Sequence, residues 1–161
     1  MKSPTRLGWG AYAAAALVVV LDQAVKLWLV GPFLLPLKGS VRVAGPLSLS
    51  FVQNRGVSFG LMQAEAGLVR WALVVFSLGV AAALIAWARR PERASVAAGL
   101  GLIIGGAVGN AIDRARLGYV IDFIDVQRLG FFPWVFNVAD SAITVGVALL
   151  LLDSLRRERA A

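Results

Sequence analysis

Apolar residues run through this chain in four blocks, each long enough to cross a hydrocarbon core of roughly 30 Å, which takes about 20 helical residues. The pattern predicts membrane-spanning helices over about 8–29, 67–88, 94–112 and 134–152, within a single membrane domain covering 1–161. The first block, GWGAYAAAALVVVLDQAVKLWLV, follows Lys2 and Arg6 and has the outline of a signal peptide. Its apolar stretch runs too far and lacks a clear small-x-small cleavage site, so it is read as a retained helix. Two longer segments, about 30–66 and 113–133, connect the blocks on one side. In the first of them VRVAGPLSLSFV sets Val41, Val43, Leu47, Leu49 and Phe51 against Arg42, Ser48 and Ser50 around a Gly-Pro turn. That alternation predicts a short amphipathic hairpin over about 41–52, expected to lie on the bilayer surface. The fold class expected is an all-α integral membrane protein: four transmembrane helices with a short extracytoplasmic β-hairpin or small sheet between the first and second.

Composition agrees with the pattern. Of 161 residues 59% are hydrophobic and 16% charged, where a soluble domain carries about a quarter charged residues. The net charge of +7 alone would suit nucleic acid, but its placement argues for a membrane. Lys2, Arg6, Arg89, Arg90, Arg93, Arg156, Arg157 and Arg159 crowd the short tails and the tight connection on one side. By the positive-inside tendency that side is cytoplasmic, with both termini inside and no nucleic-acid partner. Lys38, Arg42, Arg55, Arg70, Arg114, Arg116 and Arg128 lie on the other side, diluted over longer segments that also hold acids.

Polar residues inside such a chain need a reason. Gly101, Gly105 and Gly109 recur every fourth residue, a face on which a neighbouring backbone can pack closely. Asn110 follows, sharing a face with Asp113 and Arg114 where the helix reaches its outer end; these also read as a simple membrane edge. Asp22 and Lys26 form an i,i+4 pair that a solvated or snorkelling arrangement explains equally well. In the last block Asn137, Asp140, Ser141 and Thr144 draw one polar stripe. Asp140 would sit roughly 6–9 Å below the interface at 1.5 Å per residue. Asn54 and Gly56 read as turn residues. All of these fall in the outer third and no acid lies mid-span, which argues against an ion pathway and for a site acting on something embedded there.

The inventory narrows the chemistry, because the chain has no cysteine and no histidine. Thiol nucleophiles, Ser-His-Asp triads and His-ligated metals are excluded. Two neighbouring carboxyls remain, one holding a proton while the other accepts one. Asp140 is one member; Asp113, Asp122, Asp125 and Asp22 are all open as its partner. A Ser-Lys dyad of Ser58 or Ser141 with Lys26, and a small four-helix transporter or scaffold with a polar ligand site, are the competing readings.

Four motifs carry a resemblance. LDQAVKLW (21–28), NRGVSFG (54–60), GGAVGNAIDR with GYVIDFID (105–114 and 118–125) and FNVADSAI (136–143) resemble, in order, those of the bacterial lipoprotein signal peptidases, signal peptidase II. The resemblance implies an intramembrane aspartic endopeptidase of the bacterial inner membrane, without cofactor or metal. It would cut prolipoproteins just before the diacylglyceryl-modified cysteine, with signal peptides and membrane lipids as partners, and is expected to act as a monomer near the outer face. It assigns Asp122 and Asp140 as the catalytic pair. Asn110, Arg114, Asn137, Asp22, Lys26, Asn54 and Gly56 match positions that support the pair or contact substrate and lipid. Arg114 and Asn137 are expected to orient the carboxylates, and Gly118 to help the chain fold back toward the last helix.

Overall fold

The computed structural model describes residues 3–56 and 66–158. In chain order they form α1 (Arg6–Val30), α2 (Leu35–Lys38), β1 (Ser40–Ala44), β2 (Leu47–Asn54), α3 (Ala66–Trp87), α4 (Ala94–Leu117), β3 (Val120–Asp125), a single 3-10 turn, β4 (Val135–Phe136) and α5 (Val138–Glu158). The long helices α1, α3, α4 and α5 have 25, 22, 24 and 21 residues, so each extends about 32–38 Å at 1.5 Å per residue. All four are long and apolar enough to cross a membrane. Every tryptophan is at least half exposed, Trp9 and Trp87 at one end of the bundle and Trp28, Trp71 and Trp134 at the other. Two such belts suit the two bilayer interfaces. Between them large apolar side chains such as Val75 and Phe76 stand about two-thirds exposed, 68% and 69%, which fits a hydrocarbon surround better than water.

Caps explain where the helices begin and end. Thr5 Oγ1 accepts the Gly8 N–H at 3.2 Å at the start of α1. Gly118 ends α4 in the left-handed region (φ +85°), its N–H donating to the Arg114 carbonyl, a conformation glycine adopts without the Cβ penalty. The same turn swings the chain into β3. From α3, Arg70 adds a second closure: its Nε and Nη2 donate to the carbonyls of Arg114 and Ala115 at 2.8 and 2.6 Å. A guanidinium there satisfies carbonyls that the helix leaves open and complements its negative end.

The hub is α4, packed by α1, α3 and α5. Its missing side chains make this possible. A Cβ on Gly101 or Gly105 would lie 2.5 or 2.6 Å from the carbonyl oxygens of Ala11 or Ala15 in α1. On the side turned to α5, a Cβ on Gly106 would strike the Ala139 carbonyl. Backbone therefore approaches backbone on two sides, as the four-residue glycine spacing leads one to expect.

The strands form one antiparallel sheet in the order β1-β2-β3-β4, which sits at the C-terminal ends of α1 and α4 and the N-terminal end of α5. Beneath it Leu29, Leu35, Ile121 and Phe123 form a second apolar core. The expected hairpin is present as β1 and β2, but the sheet is not confined to the connection between the first two spans. Strand β3 pairs with β2, placing Val52 opposite Asp122, and β4 pairs with β3. Within the hairpin the serine side is the more buried, because Ser50 Oγ donates to Asp125 Oδ2 at 2.6 Å and contacts Ser40 Oγ at 2.9 Å. Two expected boundaries also move. The third span continues through Asp113 and Arg114 to Leu117, since Gly118 supplies the first stop. The last begins at Val138 and not near 134, because residues 135–136 pair with β3. The basic residues Arg89, Arg90, Arg93, Arg156 and Arg157 fall at the end opposite the sheet; Lys2 and Arg159 lie outside the described residues. That end is closed by Ser95 Oγ donating to Asp153 Oδ1 and by the Arg93–Asp153 pair at 3.3 Å.

The glycine contacts have a measurable consequence. Gly106→Ala is expected to destabilise the fold by about 1–3 kcal/mol, the usual cost of overpacking, because a carbonyl blocks its methyl. Gly79→Ala meets nothing within 4 Å and should unfold at or slightly above the wild-type temperature, since alanine suits a helix interior better than glycine. Thermal unfolding in detergent compares the two; equal midpoints would contradict the packing.

Candidate active site

The site lies where the sheet meets the helices. β3 delivers Asp122, the end of β2 delivers Asn54, and the first turn of α5 delivers Asn137 and Asp140. Asn137 caps α5: its Oδ1 accepts the Asp140 N–H at 2.9 Å, while Asp140 Oδ2 accepts the Asn137 N–H at 3.3 Å. This is a reciprocal capping box, and it locks Asp140 to the helix start, where the partial positive charge of the first turn suits an anion. Asp140 is therefore not several residues deep in a helix, as its sequence position suggests, but in the opening turn. The polar stripe is partly local: Ser141 Oγ and Thr144 Oγ1 donate to the carbonyls of Asn137 and Asp140, both at 2.9 Å.

The same buried amide ties the two aspartates together. Asn137 Nδ2 donates to Asp122 Oδ1 at 2.7 Å, and Asn54 Nδ2 donates to Asp122 Oδ2 at 3.0 Å. Asn110 Nδ2 donates to Asp140 Oδ1 at 2.8 Å, and Asn110 Oδ1 accepts from Asn137 Nδ2 at 3.2 Å. Both carboxyl groups face one cavity of about 530 Å³, which continues down α5 past Ser141 and Thr144. Phe132, Trp134 and Phe136 form its aromatic wall. Burial pushes the Asp122 carboxyl up to about 6, the Asn54 hydrogen bond pulls it down, the neighbouring Asp140 charge raises it, and Asn137 and Lys26 lower it.

Behind the site, Asp22 and Lys26 are not solvated. They are 0% and 2% exposed, and Lys26 Nζ lies 2.8 Å from both Asp22 Oδ2 and Asp113 Oδ2. The spacing of Asp22 and Lys26 could not reveal this, because the third member comes from α4. Asp113 is thus part of a buried ion cluster and Asp125 is tied into the sheet by Ser50, so neither is placed as Asp140's partner. Arg114 does not make the expected hydrogen bonds to the aspartates; among the described residues its buried Nε has no hydrogen-bond partner. Gly56, at φ +75°, has its N–H on Asn54 Oδ1 at 2.9 Å and lies beside the Arg114 guanidinium, 3.7 Å from a built Cβ to Nη2. The Ser-Lys alternative finds no geometry at Ser141, whose hydroxyl serves the Asn137 carbonyl while Lys26 is held by two carboxylates; Ser58 lies outside the described residues. Sequence reading missed Gln23, whose Nε2 donates to Asp22 Oδ2 and Asp113 Oδ1 at 3.2 and 2.9 Å. It also missed Arg70 and the aromatic wall. Gln23 stood inside the DQAVK motif; for Arg70 no local signal existed.

Comparison with known proteins follows the same lines. The family model described as signal peptidase (SPase) II matches residues 14–156. Similar proteins include a lipoprotein signal peptidase of Caulobacter vibrioides, 54% identical over 157 residues, covering 97% of this chain and 92% of that one. Another, from Methylorubrum extorquens, is 49% identical and covers 86% of this chain and 81% of its own. Among solved structures, a bacterial membrane enzyme determined by the in meso method at 1.9 Å superposes with TM-score 0.77 at 26% identity, covering 96% of this chain and 97% of that chain.

Asn137 offers a separation of roles. Asn137→Asp keeps an acceptor for the Asp140 N–H but removes both amide donors and sets a third carboxyl between two others. The helix cap should survive, but a third carboxyl at a fully buried position lowers stability by about 1–3 kcal/mol, while activity falls roughly a hundredfold or more. Parallel thermal unfolding and rate measurements test this; full activity would contradict the bridging role.

Proposed function

Since this chain belongs to the signal peptidase II family and removes signal peptides from prolipoproteins in the membrane, we propose that it does so as an aspartic endopeptidase with Asp122 and Asp140 as the catalytic pair. The observation that carries this reading is the single cavity onto which both carboxyl groups open, with Asn137 hydrogen-bonded to each. Burial and the neighbouring charge favour a proton on Asp122. Asp140, at a helix N-terminus with donors on both oxygens, suits the ionised role. A water between them then loses a proton to Asp140 as its oxygen adds to the scissile carbonyl carbon, while Asp122 passes its proton to the carbonyl oxygen. On collapse Asp140 protonates the leaving nitrogen and Asp122 recovers its proton, so both groups return to their starting states.

The substrate is taken as the signal peptide of a prolipoprotein, cut just N-terminal to its diacylglyceryl-modified cysteine. The acyl chains would stay in lipid while the scissile bond reaches the sheet end of the bundle. The density of arginine at the opposite end supports cytoplasmic termini and a site near the outer face of the bacterial inner membrane. The acting unit is taken as a monomer. Arg114, partly buried beside the site with a free Nε, suits a substrate carbonyl better than a role in orienting the pair. A transporter or scaffold is not favoured.

Purified protein incubated with a diacylglyceryl-modified prolipoprotein tests the reading, the cut being placed by mass spectrometry. Asp122→Asn and Asp140→Asn should each lower the rate by roughly a thousandfold or more; wild-type rates would refute the mechanism. The pH profile is a second check. Cleavage needs the proton on Asp122, whose fraction falls as pH rises through about 6, so kcat/KM should drop on the alkaline side of that value. It should also drop at lower pH, where the pair takes up a second proton, and both limbs belong to the pair as a unit. A flat profile from pH 4 to 8 would contradict paired acid and base roles.

A further inference from the structure

A buried charge is a poor stabiliser, because taking two ions out of water costs about what their attraction returns, and apolar side chains of the same volume often serve as well. Asp22, Lys26 and Asp113 nevertheless lie together at 0%, 2% and 3% exposure. The other partners of the two carboxylates suggest why. Asp22 Oδ1 accepts the backbone N–H of Ala139 at 3.0 Å, and Asp113 Oδ2 accepts that of Ile121 at 3.2 Å. Ala139 immediately precedes Asp140, and Ile121 immediately precedes Asp122. Lys26 Nζ joins the two carboxylates at 2.8 Å each and reaches Asn110 Oδ1 at 3.4 Å, the amide whose other end holds Asp140. Gln23 spans the same two acids from the next position on α1. Room for the cluster comes from Gly109, where a Cβ would stand 2.9 Å from Asp22 Oδ2.

We propose that the Asp22–Lys26–Asp113 cluster is a positioning clamp that sets the separation of the two catalytic carboxyls from behind, by gripping the backbone amide before each. The inference rests on the assignment of Asp122 and Asp140 as the catalytic pair. Each acid of the clamp comes from a transmembrane helix, α1 or α4, while the amides it holds belong to α5 and β3. The α5 start, far along the chain from α1, and the strand that follows α4 are thereby fixed to one ammonium group. None of the three touches the cavity, so they act through their neighbours. A shift of about 1 Å in such a pair is enough to cost a hundredfold in rate.

Lys26→Met and Asp113→Asn test the clamp, assayed beside Asp122→Asn and Asp140→Asn with the same modified prolipoprotein. Asp113→Asn keeps the side chain's size and the Asp22–Lys26 pair, so it carries the test if Lys26→Met does not fold. For each folded variant kcat should fall about tenfold to a hundredfold while KM stays within about threefold, since the cavity walls are untouched. In Lys26→Met the alkaline limb of the pH profile should also move to higher pH. Asp122 is faced by Asp140 from α5, Arg114 from α4 and Lys26 from α1, and losing the last removes a charge that favours its ionised form. A clamp variant that folds with wild-type kcat and an unmoved limb overturns the proposal, as does a kcat loss explained entirely by the folded fraction. If the Asp122 and Asp140 variants themselves cleave normally, the catalytic assignment fails first and the clamp with it.

Discussion

Two carboxyl groups facing one cavity repel unless donors reach both, and here one fully buried residue does so, Asn137 donating to Asp122 Oδ1 through its side-chain amide and to Asp140 Oδ2 through its backbone N–H. Asn137 donates to Asp122 and accepts from the backbone of Asp140, so the angle between β3 and the first turn of α5 is set by one side chain. The amide can serve both only because it is the helix cap. A cap residue stands half outside the helix with its side chain turned back over the first turn, which leaves Nδ2 free to point at the strand. Moving the start of α5 by one residue would send that amide elsewhere. The pairing of β4 with β3 guards against this by keeping residues 135–136 extended.

That arrangement depends in turn on how close the helices come. Asn110 reaches Asp140, and Asp22 reaches the Ala139 N–H, because α4 shows glycine to α1 and to α5. In a bilayer apolar surface gives helices little reason to associate, so close backbone packing and interhelical hydrogen bonds must hold them. Here the two act at different levels. Glycines bring the axes together through the middle of the bundle, and the asparagines and ions join the elements at the sheet end. Arg70 extends the polar joining to α3.

Length and apolarity made the four spans legible, since no other structure uses such runs, and the glycine spacing correctly foretold close packing. The depth of the polar residues located the site. What could not be read was whatever depends on a distant partner. Asp22 and Lys26 at i,i+4 suit a wet surface as well as a dry core; only Asp113, far along the chain, decides between them. β3, with Asp122 and Asp125 among its six residues, reads as part of a connecting segment until β2 lies beside it. The apolar run through Trp134 and Phe136 hid the start of α5, because hydrophobicity does not distinguish a strand at a sheet edge from a helix in lipid. Asp122 was singled out by the motif around it, and spacing alone left it among several candidates.

Asp122 and Asp140 show how one fold can give like groups unlike surroundings. Asp122 sits beneath the sheet at 2% exposure, where lost hydration penalises charge. Burial opposes the charge on this carboxyl, while the hydrogen bonds from Asn54 and Asn137 favour it. Their opposition leaves it near 6, a value from which a proton can be given and retrieved in one turnover. Asp140 is less buried and meets the helix terminus, so the strand and the helix give the two carboxyls different surroundings across one cavity. The chain has no histidine to titrate in this range, and under the proposed mechanism the two aspartates take the acid and base roles in its place.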